Sequence, residues 1–344
     1  MAAPQPARVA ALDALRGLAI AMVVVSHIAA PHLPAVGIDL GNNGLGTAGV
    51  LLFFLLSGYL IQGNLERQPL PVFLSRRLFK ILPAYWLNIA AVFALDALGV
   101  GGERFALASY LGSALMATDL LGVEAVNGVY WTLLIEVKFY LFIALYHRFL
   151  GDRGLPWVIL GLILLNLLPW SLRGHGSALI VFFPAFYVGV AIHRAERAGW
   201  AGRTLAAALA VGAVAAQTVN LSLFADAHFA GAGLLLLLDT ALFVGALRLA
   251  ARNPLLEFLG RTSYSNYLFH PLVATVLGTA FVRGETLVAD LPWMTAAAGL
   301  SVALAALSHR LVEEPAVRWG KRMEARWTRS PGAGSLVPAE SRAP

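Results

Sequence analysis

Apolar residues along the chain come in runs of about 20, broken by short polar stretches, which is the pattern of helices that cross a bilayer. Ten spans are predicted, near residues 14–31, 48–63, 82–99, 130–149, 155–171, 177–193, 203–221, 229–250, 264–282 and 292–309. The expected fold is therefore all-α, a polytopic integral membrane protein. One further stretch, "ERFALASYLGSALMATDLL" at 103–121, is long enough for an extra span. A span there would spoil the alternation of charge in every later loop, so it is assigned to the extracytoplasmic or interfacial layer.

Composition strengthens this picture. Of the 344 residues 59% are hydrophobic and 13% charged, a balance far from that of a soluble domain. Similar apolar runs recur to residue 308, so a lone signal peptide is a poor account of the first one. Lys and Arg gather in alternate loops: Arg67, Arg76, Arg77 and Lys80 in one, Arg194, Arg197 and Arg203 in another, and a basic run from Arg310 onward. The opposite loops hold only Arg104, Arg173 and Arg283. By the positive-inside rule both termini are cytoplasmic, in the cell inner (plasma) membrane.

The membrane domain is expected over 1–316, with a basic cytoplasmic extension over 317–344. The end of that extension, "SPGAGSLVPAESRAP", has little to bury and is expected to be disordered after about 330. The net charge of +6 is spread over short loops rather than one face, which argues against nucleic acid as a partner. With no cysteine, disulfides, thiolate metal sites and a cysteine acyl-enzyme are excluded. No histidine spacing suits a helix-borne zinc site, so no metal is expected.

Ionisable residues inside the spans are the candidates for chemistry, because charge in lipid is expensive. Arg16 and His27 are eleven residues apart, which returns almost to one helix face and separates them by roughly 16 Å. Asp13 lies on the same face, one turn before Arg16. These charges either anchor the helix at the interface or begin a functional stripe. His27 suits a general base or proton shuttle. In "VYWTLLIEVKFYLF" (129–142), Glu136 enters a span just past Trp131 and lies about 8 Å deep. It either shares a cavity with His27 or pairs with a neighbouring Arg or Lys. The loop "PVFLSRRLFKILPAYW" brings Arg76, Arg77 and Lys80 together, for topology and anionic lipid or for a phosphate-rich ligand. "FLGRTSYSNYLFHPL" sets Tyr264, Ser265, Tyr267 and His270 at a helix entrance, and "SHRLVEEPAVRW" ends the last span with Glu313 and Pro315.

Taken in order, these segments resemble the acyltransferase-3 family of integral membrane O-acyltransferases, in its stand-alone form without a fused hydrolase-like domain. The opening motif resembles Leu12-Asp13-x-Leu15-Arg16-Gly17 followed by His27. "VLLFFLLSGYLI" at 50–61, the basic run before Pro83 and Tyr85-Trp86, Trp131 with Glu136, Phe139 and Tyr140, "LGRTSYSNYLFH", and Glu313-x-Pro315 complete it. Leu51 departs from the family's usual polar residue, and Lys80 keeps a charge but loses the guanidinium fork. The resemblance implies transfer of an acyl group, usually acetyl, from cytoplasmic acyl-CoA to a hydroxyl of a carbohydrate, glycolipid or glycosylated small molecule. No cofactor is bound permanently; acyl-CoA is a co-substrate.

In that scheme His27 and Glu136 are catalytic. Asp13, Arg16, Arg76, Arg77, Lys80, Trp131, Tyr140, Tyr264 and Tyr267 bind donor or acceptor, and His27 acts as base or as a transient acyl carrier. A transporter or flippase of a lipid-linked or glycosylated substrate would use the same polar path. An anchor subunit would use none of it. The acceptor and the oligomeric state are not fixed by the sequence.

Overall fold

Long apolar helices dominate the computed structural model, which describes residues 7–29, 44–101, 104–151, 154–166, 177–200, 202–204, 207, 210–215, 232–250, 252–280 and 287–327. The main helices are α1 (Ala7–Ala29), α2 (Gly46–Leu65), α3 (Leu70–Ala97), α4 (Leu107–Ala114), α5 (Thr118–Leu121), α6 (Tyr130–Phe149) and α7 (Leu155–Asn166). They continue with α8 (Ser177–Ala195), α9 (Ala232–Arg248), α10 (Pro254–Arg261), α11 (Ser263–Ala280) and α12 (Leu287–Ser308). A π-helical turn (His309–Glu313) leads into α13 (Glu314–Trp327). No strand occurs among the described residues.

Four stretches are long and apolar enough to cross a membrane: Arg8–Ala29, Gly46–Leu65, Leu70–Ala97 and Val288–Ala325. They meet the spans expected at 14–31, 48–63, 82–99 and 292–309. Helices α6, α7, α8, α9 and α11 overlap five more. Most of the span expected at 203–221 lies outside the described residues, as do Arg173 and Arg283. The segment 103–121 forms α4 and α5, each too short to cross. They are tied to α3 by Tyr85, whose hydroxyl donates to the Ser113 carbonyl at 2.8 Å, and by Tyr110, which donates to Asp96 at 2.7 Å.

Two expectations about helix ends are corrected. The basic run was expected in a loop, but α3 begins at Leu70 and carries it. Pro71 sits in the first turn, where its missing N–H costs nothing and its fixed φ favours a helix. Nor does Pro315 end the last span. The π turn closes with the Glu314 N–H on the His309 carbonyl, five residues back, and this wider turn makes room for a proline that would clash in an α-helix. The chain then runs on helically past residue 317, and Trp319 packs edge-on against Phe79 of α3 at 5.3 Å.

Between lipid-solvated helices, attraction comes from close packing rather than from water exclusion. Helices α2 and α8 run parallel with backbones nearly touching. A Cβ on Gly58 would fall 1.9 Å from the Phe186 carbonyl oxygen, and one on Gly189 2.0 Å from that of Leu55. Phe186 stacks between Phe54 at 4.5 Å and Phe139 at 4.1 Å, which joins α6 to the pair. Where α2 and α8 end, Glu66 accepts from His193 at 3.2 Å and from Arg197. Glu196 nearby accepts from Tyr59 at 3.0 Å and from Arg8 at the start of α1. Burial pushes the Glu66 carboxyl up, but hydrogen bonds from Gln62 and His193, with the charges of His193 and Arg197, outweigh it and hold the group below its ordinary value.

Candidate active site

A cavity of about 640 Å³ opens among α1, α2, α3, α6, α10, α11 and the start of α13. Asp13, Arg16, Arg77, Lys80, Glu136, Tyr140, Tyr264 and Tyr267 all line it. Eight of the eleven residues singled out in the sequence are thus brought together.

The α1 side is positioned by a second glycine contact. Helix α10 lies across α1 so closely that a Cβ on Gly17 would fall 1.9 Å from the Leu256 carbonyl oxygen, and one on Gly260 1.8 Å from that of Asp13. Glycine in both motifs is what lets the backbones meet. Asn253 caps α10 by accepting from the Leu255 and Leu256 N–H groups at 3.0 and 3.1 Å.

Three cations point into the cavity from α1 and α3. Arg16 donates to Asp13 at 2.7 Å, so its charge is answered within its own helix. Arg77 lays its guanidinium against the Phe73 and Tyr140 rings, 5.4 and 5.2 Å from their centroids. Among the described residues neither Arg77 nor Lys80 forms an ion pair. Because α3 is helical here, Arg77 and Lys80 fall three residues apart on one face, while Arg76 turns away. It donates twice to Glu324 of α13, at 2.9 Å each, and lines a neighbouring groove of about 210 Å³. Arg77 and Lys80 therefore reach the cavity without a bonded carboxylate, although Glu136 and Glu313 line the same space.

Deeper in, Glu136 accepts from the Ser57 hydroxyl at 2.6 Å and from the Tyr140 hydroxyl. The alternative of an ion pair with Arg or Lys is not what the fold builds; neutral donors hold the carboxylate. One turn back along α6, the Thr132 hydroxyl and the Tyr267 hydroxyl are 2.6 Å apart at the cavity wall.

His27 does not line the cavity with Glu136, which corrects the expectation of one shared chamber. The parallel course of α1 and α11 carries it past Tyr267 to the level of His270. The two imidazole centroids are 5.0 Å apart, and Tyr267 lies 5.9 Å from His270 on the other side. Trp131 also sits off the cavity, tilted against Phe182 at 5.3 Å and partly exposed, as suits an interfacial indole.

The wall opposite α6 comes from the chain's last helices. Glu313, in the π turn, accepts from the Ser265 backbone N–H at 3.1 Å and from its hydroxyl, and so caps the start of α11 from a distant helix. The Ser308 hydroxyl lies 2.8 Å from that of Ser265 and can donate to it. His309 lies 3.3 Å from Glu313 and 3.6 Å from Glu314, and Arg318 donates to Glu314 at 3.1 Å. Tyr264 donates to the Ile81 carbonyl at 2.8 Å and binds α11 to α3.

Sequence reasoning missed Ser57, Thr132, Arg261, His309 and Arg318 as lining residues. A lone serine within "FFLLSGYL" was the available signal, since a hydroxyl in such a run needs a partner. The others gave none until the helices were assembled.

The family described as an acyltransferase domain matches residues 9–310. A protein of Acidianus two-tailed virus, ORF330, named as a candidate acetyltransferase, is 28% identical over 148 residues, which is 42% of this chain and 44% of that protein. The chain thus spans less than half the length of that relative. No solved structure matches.

Proposed function

The chain belongs to the acyltransferase domain family that matches residues 9–310, and on that membership we propose a membrane O-acyltransferase moving an acetyl group from cytoplasmic acetyl-CoA to a carbohydrate hydroxyl. In this reading the chain crosses the inner membrane ten times with both termini in the cytoplasm. The observation that carries it is the convergence of Arg16, Arg77 and Lys80 on a cavity that also holds Glu136. Cations within a membrane domain fit the phosphates of a nucleotide donor. The apolar lining deeper in, Phe53, Phe54 and Leu133, suits the pantetheine arm.

The reaction is an attack of the acceptor oxygen on the thioester carbonyl. His27 takes the hydroxyl proton at Nε2, the new C–O bond forms, the C–S bond breaks, and the thiolate sulfur recovers a proton as free CoA leaves. Glu136, held by Ser57 and Tyr140, orients the reacting groups. This reading requires the Thr132–Tyr267 contact, at the cavity wall, to open toward His27 during each turnover. The roughly 16 Å along α1 from Arg16 to His27 is of the order of an extended pantetheine arm.

Membranes carrying the wild-type chain, given radiolabelled acetyl-CoA, should yield labelled glycan or glycosylated metabolite, and His27→Ala at matched protein level should not. Undiminished labelling in His27→Ala ends the assignment of the base. Movement of substrate without labelling would replace acyl transfer by transport.

A further inference from the structure

Beside the cavity lies the groove of about 210 Å³ that Arg76 lines, bounded by the end of α2, the first half of α3 and α13. Among the described residues its lining brings four cations, Arg76, Arg77, Lys80 and Lys321, and no carboxylate. The cavity differs, since Asp13, Glu136, Glu313 and Glu314 line it together with its cations. A polyanion is therefore better matched in the groove and an uncharged chain in the cavity. Arg77, Lys80 and Val317 line both spaces, so the two meet at these residues.

The groove exists because α13 comes back onto α3. Val317, Gly320, Lys321 and Glu324 recur at three- and four-residue spacing and so share one helix face. Gly320 is buried against the Phe79 ring, where a Cβ would fall 2.6 Å from Cδ2, and Glu324 accepts twice from Arg76. Those contacts bring Lys321 to the groove, where its side chain is exposed and, among the described residues, makes no ion pair. The family match ends at residue 310, so Lys321 lies beyond it.

We propose that this groove holds the adenine nucleotide of the acyl-CoA donor, and that Lys321 is a binding residue for its 3′-phosphate. This rests on the reading of the chain as an acyl-CoA-dependent transferase. In acyl-CoA a diphosphate joins the uncharged pantetheine arm to a ribose that carries the third phosphate. An arm lying in the cavity sets the diphosphate at the junction, beside Arg77 and Lys80, and the ribose phosphate further out, beside Arg76 and Lys321. Arg76 already serves Glu324 with two donors, so Lys321 carries the discrimination. The last helix thereby lets the site tell CoA thioesters from thioesters of plain phosphopantetheine.

Donor truncation crossed with substitution tests this. With acetyl-CoA, Lys321→Ala should raise KM roughly tenfold, Lys321→Glu more and Lys321→Arg little, because one charge-assisted hydrogen bond is lost, reversed or kept. With 3′-dephospho-acetyl-CoA the wild type should show that same rise, and Lys321→Ala should add nothing to it. Additive losses, or an unchanged KM for acetyl-CoA in Lys321→Glu, overturn the proposal. Calorimetry of the purified full chain with adenosine 3′,5′-bisphosphate reads binding apart from turnover. Wild-type protein should bind it roughly tenfold more tightly than Lys321→Ala, whereas adenosine 5′-monophosphate should not distinguish the two. Absence of bisphosphate binding to the wild type overturns the proposal even where acetyl-CoA is consumed. Lys321-dependent binding in a protein that transfers no acetyl group sustains the nucleotide site and overturns the acyl-transfer reading instead.

Discussion

Ser57 donates to Glu136 across the α2–α6 contact at 2.6 Å, and Tyr140, one turn along from Glu136, donates to the same oxygen. The acid is thus held by two neutral donors at the cavity wall. Glu136→Gln should lower kcat by ~10²-fold, as for loss of a charged group that orients the reacting atoms, while the protein stays folded in detergent. Ser57→Ala, which removes one hydrogen bond to a charged acceptor, should lower kcat by roughly tenfold. Normal kcat in Glu136→Gln would leave the carboxylate a packing role only.

Arg77 is held by aromatic rings rather than by a carboxylate, so its charge is available to a ligand. Arg77→Ala should raise KM for acetyl-CoA by about tenfold or more with a smaller effect on kcat. Arg77→Lys should recover little of this, because an ammonium has no planar fork to lie on Tyr140 and reach a phosphate. Initial rates across donor concentrations measure both.

Gly260 tests how the α1 stripe is positioned. A methyl group there would overlap the Asp13 carbonyl, so Gly260→Ala must push α10 away from α1. The expected outcome is a lower Tm, by an overpacking penalty of about 1–3 kcal/mol, with weaker acetyl-CoA binding because Asp13 and Arg16 shift with the helix. Unchanged Tm and KM would show that the crossing tolerates a side chain.

Glu66 gives a pH-dependent signature. Its carboxyl sits below its ordinary value in the folded protein, so it binds fewer protons folded than unfolded. The stability it adds is therefore full above the unfolded value and is lost as pH falls through the lower folded one. Glu66→Gln should lower Tm at about pH 7, and the gap to the wild type should close as the solution is made acidic enough to protonate Glu66 in the folded protein. A constant gap across that range would show that His193 and Arg197 do not act on the charge.

Much of the helical plan could be read from hydropathy, because lipid demands long apolar runs. The span expected at 130–149 matches α6 at both ends. The errors fall where local chemistry overrides composition. "SRRLFK" reads as a loop by charge, yet in helix α3 its cations meet the cavity and Glu324. Pro315 reads as a stop, yet a π turn absorbs it. The site was legible as a set of costly residues, Asp13, Arg16, His27 and Glu136, but not as a geometry. Periodicity gives each helix a face without naming the helix it meets. Hence Ser57 as the partner of Glu136, and Tyr267 and His270 between the cavity and His27, required the assembled bundle.

The cavity takes its walls from Asp13 at one extreme of the chain's order to Arg318 at the other. At a synthesis rate of ~5–20 residues per second, roughly 15 to 60 s separate the emergence of these two residues from the ribosome. For that interval the opening helix holds ionised groups in the bilayer with no finished pocket to receive them. The Asp13–Arg16 bridge, closed within a single helical turn, needs nothing made later. It lets the charged entrance of the pocket insert self-neutralised and wait for the helices that will complete it.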